Sequence, residues 1–184
     1  EKARDLYPDF SGPISVVPFG ASAVDLSTER RRALRADLNL PLDALLVGSF
    51  GILHDTKMNV EAIDAFSVLS QSNPSALFLI VGPELDDGAA RRRVMEHGLQ
   101  NRVLLLGSQT PQKYMDYLCV TDIGVNLRRP PTHGETSSSL LDLLRHGVPT
   151  IATDVGTFSE FPDRVLKKIV WDAQGRERLA DALL

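Results

Sequence analysis

The feature that most restricts the fold is a repeated grammar: a short apolar run, a glycine or proline stop, then a stretch with helical spacing. Residues 76–81 read ALFLIV and stop at Gly82-Pro83, residues 44–50 stop at Gly51, and residues 103–106 stop at Gly107. Residues 123–127 and 149–153 repeat the pattern, and 168–170 adds one more short run. Runs that are apolar at consecutive positions belong to strands covered on both faces. Between them lie helical patterns. Residues 59–70 carry Val60, Ala62, Ile63, Phe66 and Leu69 and are halted at Asn73-Pro74, while the basic stretch 89–97 ends at Gly98, suited to a left-handed cap. Residues 111–118 open on proline, and a last helix starts near Gln174. Upstream, residues 1–7 read as the tail of a helix and 14–17 as a short strand. Ser27 caps a highly charged helix over 28–38, expected on the surface. The alternation predicts an α/β chain with a doubly wound, Rossmann-like parallel sheet and helices on both faces.

In such sheets ligands bind beyond the carboxyl ends of the strands. Segments 51–57, 82–87, 107–111, 128–139 and 154–157 leave those ends and are expected to share one rim, which brings Lys57 near Glu135. The most informative of them is PTHGETSSSLLDLLRHGVPTIATDVG, residues 131–156. Its small residues Thr136, Ser137, Ser138 and Ser139 let a ligand approach the backbone at the start of a leucine-rich helix. The first N–H groups of a helix lack internal partners and sit at its positive end, which favours a phosphate. Glu135 and Asp142 lie seven residues apart. In one continuous helix they would share a face about 10 Å apart and bracket a diphosphate, each accepting hydrogen bonds from hydroxyls. The same residues also suit a plain N-terminal cap followed by a solvated aspartate. Lys57, downstream of Gly51, offers a phosphate a point charge. Arg128, Arg129, His54 and His133 are further rim candidates, and two histidines without neighbouring cysteines make a poor metal site.

Several classes are excluded. The 184 residues are 43% hydrophobic and 24% charged, an ordinary globular balance for a single domain. A net charge of −4 gives no general attraction for nucleic acid or an anionic membrane, so an anion must be held locally. Cys119 is the sole cysteine, which rules out a disulfide framework and points to a reducing, cytoplasmic compartment. No apolar run reaches the roughly 20 residues that span a bilayer, and no signal-peptide pattern is present. There is no GxGxxG after the first strand, no GxxxxGK[ST] and no GxSxG. Asp86-Asp87 reads as a solvated turn. Both termini look cut, at EKARDLYPDF and ERLADALL, so the expectation is a piece of a longer protein.

Five segments in order resemble the C-terminal, donor-binding domain of retaining glycosyltransferases of the two-domain GT-B fold, in the family 4 group. ISVVPFGASAVDL is similar to the family's hinge, usually PNGVD, and LLVGSFGILHDTKMNVEAIDAF to VGRLxxxKG. ALFLIVGPELDD resembles LxIVGxG, and VLLLGSQTPQKYMDYLCVTDIGVNL resembles FLGxVxxxELxxLYxxADVxVxP. GETSSSLLDLLRHGVPTIATDVGTFSEF is similar to EGFGLPxLEAMAxGxPVIATDxGGxxE.

The resemblance implies a nucleoside-diphosphate sugar as co-substrate, with no cofactor and no metal. Residues 1–184 would form one donor-binding domain, with 1–12 the tail of a hinge from an absent N-terminal domain that holds the acceptor sugar or glycolipid. Any peripheral membrane contact would come only through that longer protein. Lys57 matches the lysine on the donor diphosphate, and Asp142 the second glutamate of the Glu-x7-Glu motif, on the ribose hydroxyls. A strict count sets Gly134 under the first glutamate, and Glu135 is expected to take its role beside the donor sugar by a one-residue shift, as the catalytic carboxylate. Gly51, Thr136, Ser137 and Ser138 complete the donor-binding set, and 108–110 matches the segment beside the base. Ile52 stands where the family has an arginine, so one phosphate contact is absent or supplied from elsewhere. Such a fragment would bind donor without transferring sugar. The alternatives are a non-catalytic sugar-nucleotide-binding module and a degenerate protein-interaction domain.

Overall fold

Six short runs pair into one sheet: β1 (Leu46–Phe50), β2 (Leu77–Val81), β3 (Val103–Gly107), β4 (Ile123–Asn126), β5 (Thr150–Thr153) and β6 (Lys167–Ile169). The computed structural model describes residues 8–13, 15, 24, 27–85, 87–132 and 134–184. The readings made on residues 1–7, on the strand at 14–17, on most of the hinge stretch, and on Asp86 and His133 lie outside the described residues. All pairings are parallel, in the order β3-β2-β1-β4-β5-β6. The chain steps outward from β1 to β2 and β3, then returns to lay β4 against the other side of β1, with Val47 between Phe78 and Ile123. The winding direction reverses between β1 and β4, and there a crevice opens in sheets of this kind.

The strands feed a large core on each face because successive side chains point to opposite faces, and a smaller cluster of Leu140, Ala152, Phe158 and Leu166 lies beside β5. Along β2, Phe78 and Ile80 enter one core and Leu79 and Val81 the other. The first core is covered by α2 (Asn59–Ser72), α3 (Ala89–Glu96) and α6 (Gly175–Leu183). Helix α2 buries Ala62, Ile63, Phe66 and Leu69 on one face, with the Phe66 ring 5.3 Å from that of Phe78. Pro74 keeps the helix from running on. Truncating Phe66 to alanine would open a cavity costing about 3–5 kcal/mol. The second core lies under α1 (Thr28–Asp37), α4 (Pro111–Val120) and α5 (Ser138–Arg145), where Leu118, Val120 and Leu143 meet Leu46 and Leu79.

Helix α1 keeps the surface place its charge suggests, with most of its residues exposed, apart from one side chain. Ser27 caps it as expected, accepting from the Arg30 N–H at 3.2 Å, yet Arg35 is buried. The Arg35 guanidinium donates to Asp122 Oδ2 at 2.6 Å and to the carbonyls of Leu42, Ala44 and Val120. Asp122 also accepts from Arg31 at 2.9 Å and from the Leu46 N–H at 2.8 Å. This cluster fastens α1 to the amino ends of β1 and β4, the side of the sheet opposite the crevice. Elsewhere strand bounds move by one or two residues, and two 3-10 turns, Asp55–Lys57 and Gly156–Glu160, appear where only loops were expected.

Candidate functional site

The crevice is shaped first by two glycines. Gly51 leaves β1 with φ +106° and Gly82 leaves β2 with φ +151°, values that L side chains rarely adopt. A Cβ on Gly82 would fall 1.9 Å from the Gly51 carbonyl oxygen, so the two loops cross where only glycine fits. Beyond them the backbones pair, Leu53 N–H to the Pro83 carbonyl and Leu85 N–H to that of Leu53. Downstream the chain turns tightly, capped by the His54 ring, which accepts from the Thr56 N–H at 3.3 Å. That turn delivers Lys57 across the crevice, its Nζ 3.5 Å from Ser139 Oγ at the start of α5.

The facing wall comes from the loop after β4. Thr153 holds Arg128 by its backbone, accepting from the N–H at 2.8 Å and donating to the carbonyl at 3.1 Å. The Arg128 side chain lines the crevice, with Nε 3.5 Å from Glu135 Oε1. Arg129 is a brace instead. Its N–H donates to the Thr56 carbonyl, and its guanidinium spans Asp55 at 3.2 Å and Glu61 at 2.5 Å, locking the lysine-bearing turn to α2.

Helix α5 begins at Ser138, and the Ser137 hydroxyl accepts from the Leu140 N–H at 3.3 Å. The first intrahelical bond runs from the Leu141 N–H to the Ser137 carbonyl. The N–H groups of Ser138 and Ser139 thus have no acceptor within the helix, and both residues line the crevice. Beneath them Asn126, buried at the end of β4, donates to Ser139 Oγ at 3.0 Å and Ser137 Oγ at 3.4 Å. The result is an open cleft of about 400 Å³. Its contacts are those an anion needs: two cations, spare amides and hydroxyls.

Electrostatics follow from this crowding. Burial drives the Lys57 ammonium down from 10.5 to about 8; the nearby Arg128 charge pushes the same way, and Glu135 opposes both. Tyr114, on α4, also lines the cleft, edge-on to Phe50 at 5.5 Å. Burial, then the Asp142 carboxylate, push its phenol well above the ordinary value, and its hydroxyl makes a long 3.5 Å hydrogen bond to Asp142 Oδ2.

Of the residues singled out from sequence, Gly51, Lys57, Thr136, Ser137 and Ser138 line the cleft, as do His54 and Arg128. Gly134, Glu135 and Asp142 do not line it themselves. The single helix carrying both carboxylates is not formed. Ser137 caps α5 two residues after Glu135, so Glu135 lies in the preceding loop, its carbonyl accepting from the Thr157 hydroxyl at 3.0 Å and its carboxylate turned to Arg128. Asp142 stands on α5 behind Tyr114, 3.8 Å from Arg145. Segment 108–110 does not line the cleft either; Thr110 caps α4, and Gln109 folds back to the Leu106 carbonyl. Four residues went unread, among them Thr56 in the lysine-bearing turn. Tyr114 and Leu85 look like packing positions, whereas Asn126, a polar residue closing an apolar strand, was the available signal. Among the described residues, no group of three or more His, Cys, Asp or Glu is placed to hold a metal ion.

Sheet order and crevice together define a Rossmann-like domain of the kind that makes one half of a GT-B fold. The chain belongs to the family of glycosyl transferases group 1, whose model matches residues 43–184. It is similar to the lipopolysaccharide core biosynthesis mannosyltransferase LpsB of Rhizobium meliloti (strain 1021), with 31% identity over 138 residues, 72% of this chain and 37% of that protein. Anabaena Alr3699/HepE, solved in complex with UDP, matches with a TM-score of 0.70 and 20% identity, over 86% of this chain and 43% of that one. The C-terminal domain of a glycosyl transferase group 1 family protein (LpcC) from Francisella tularensis matches with a TM-score of 0.68 and 19% identity, over 86% of each chain. The expected fold is therefore the observed one. The chain spans less than half the length of the LpsB and Alr3699/HepE chains it matches.

Proposed function

We propose that this chain is the donor-binding half of a glycosyltransferase that moves a sugar from a nucleoside-diphosphate sugar to an acceptor sugar or glycolipid, with retention and without a metal. The observation that carries the reading is the meeting of Lys57 and the α5 N-terminus across the β1–β4 crevice, in a chain of this family. Rupture of the glycosidic bond leaves negative charge on the departing diphosphate, and fixed cations and amides aimed at it lower that barrier. Lys57 and the amides of Ser138 and Ser139 take the diphosphate, close to Gly51, Thr136 and Ser137. Asp142, through its place beside Tyr114, takes the ribose side, and Gly134 and Glu135 take the donor-sugar side. Relatives point the same way: HepE was solved with UDP and with UDP-glucose, and LpsB is a mannosyltransferase of lipopolysaccharide core biosynthesis. The acceptor is then a growing glycoconjugate, bound by a further domain, and the working compartment is the cytoplasm, with no nucleic acid partner. By itself the chain binds donor and transfers nothing. Ile52, 46% exposed where the family carries a cation, favours a second reading as a sugar-nucleotide binder without transfer.

Calorimetric titration with UDP-, GDP- and ADP-sugars tests the site. One donor class binds, and a Lys57→Ala, Asp142→Ala double variant loses it. Binding by none, or undiminished binding in the double variant, refutes the assignment. A transfer assay on the longer protein separates enzyme from binder.

A further inference from the structure

Ile52 removes one cation from the phosphate seat, and the structure offers another. Arg128 lines the same cleft as Ile52 and Lys57 but arrives from the loop after β4. Its backbone is pinned on both sides by the Thr153 hydroxyl, so the point from which its side chain enters the cleft is set by the sheet. The side chain is only 17% exposed, whereas its partner Glu135 is 41% exposed and sits at 3.5 Å, a loose ion pair. Lys57 feels both groups, Arg128 as a repelling charge and Glu135 as an attracting one, so the three form a single electrostatic cluster. Two cations and one carboxylate leave a net positive cluster, with the carboxylate on Arg128 and outside the residues that line the cleft.

We propose that Arg128 is the second diphosphate-binding cation of this site, and that Glu135 is its resident counter-ion, displaced when a nucleoside diphosphate binds. The inference rests on the donor-site reading above. A diphosphate brings more charge and more acceptor oxygens than one carboxylate, and it meets a guanidinium whose planar fork suits two phosphate oxygens. Because the Glu135 backbone is tied to Thr157, displacement moves its side chain and not the loop. The released carboxylate can then accept hydrogen bonds from hydroxyls of the donor sugar. Phosphate recognition and sugar recognition are thereby joined in one exchange of partners.

The test is titration of the chain with UDP, GDP and ADP, followed by variants against whichever binds. Glu135→Gln removes the competing charge and keeps the shape, and should tighten binding about threefold, the worth of one part-exposed ion pair. Arg128→Met should weaken it about tenfold or more, as loss of a charge-assisted contact does. Arg128→Lys, which keeps a cation, should retain more affinity than Arg128→Met and serves if the methionine variant does not fold. In the Arg128→Met background, Glu135→Gln should gain clearly less, because only its influence on Lys57 is left. Weaker or unchanged binding in Glu135→Gln, or a gain undiminished without Arg128, overturns the exchange while Lys57-dependent binding upholds the donor site. Failure of all three nucleotides to bind the unmodified chain overturns both.

Discussion

Replacing Lys57 by methionine should stabilise the protein while destroying its affinity for nucleoside diphosphates. The lysine stem and methionine have similar length and fill the turn alike, so the main change is removal of a charge held by burial and by Arg128 at about 8 instead of 10.5. At about 1.4 kcal/mol per pH unit, that displacement corresponds to roughly 3 kcal/mol of penalty on the folded state at neutral pH. The cleft is open to water, which screens the charge, so a gain of about 1–2 kcal/mol is expected. For a chain of this length it appears as a rise in melting temperature of about 3–6 °C. The pH dependence gives the sharper check. Below pH 8 the lysine is protonated in both states and the penalty is complete. Between about 8 and 10.5 only the unfolded chain holds the proton, so the unmodified protein gains stability with pH and the variant's advantage shrinks. Thermal melts of both proteins from pH 7 to 10, with parallel titrations, measure this. A less stable variant, or an advantage that does not shrink with pH, would show that Lys57 is not held in this environment.

Other expectations follow from the same geometry. Nucleoside diphosphate affinity should fall as pH rises above 8, with proton uptake on binding measured by calorimetry in buffers of differing ionisation enthalpy; Lys57→Arg should abolish that fall. Asp122→Ala leaves the buried Arg35 guanidinium without its carboxylate, and should cost about 3–5 kcal/mol in urea unfolding. A loss under about 1 kcal/mol would mean that the cluster does not anchor α1. Gly82→Ala drives a methyl group into the Gly51 carbonyl, and should cost at least about 2 kcal/mol and lower donor affinity by shifting the loop that carries Lys57. Arg129→Met should weaken donor binding without touching donor, since it frees the Asp55–Lys57 turn; a loss matching that of Arg128→Met would contradict its role as a brace.

The sheet was legible because consecutive apolar residues, glycine stops and helical spacing are local signals. The rim was legible because parallel strands put their exits on one edge, which places the loop of Lys57 beside the 128–139 loop. Three features escaped for physical reasons. Residues 136–139 are all hydroxyl-bearing and each can cap a helix, so the sequence does not say that Ser137 wins and leaves Glu135 outside. Adjacent loop residues have no periodicity, so nothing local separates Arg128, which enters the cleft, from Arg129, which braces the turn. The charge of α1 reads as solvated, but Arg35 is drawn inward by Asp122, a partner distant in sequence and therefore invisible to local pattern.

The crossing of Gly51 and Gly82 beside the β4 exit means that no short segment contains the site. Its walls come from stretches brought together only by the finished sheet, so an unfolded chain has nothing with which to hold a diphosphate. Ligand affinity is therefore recovered in full as resistance to unfolding, about 2.7 kcal/mol at a hundred times the dissociation constant. In a chain of this size that is a melting shift of roughly 5–10 °C. A heat scan across a shelf of nucleotides can thus name the preferred base without any transfer assay.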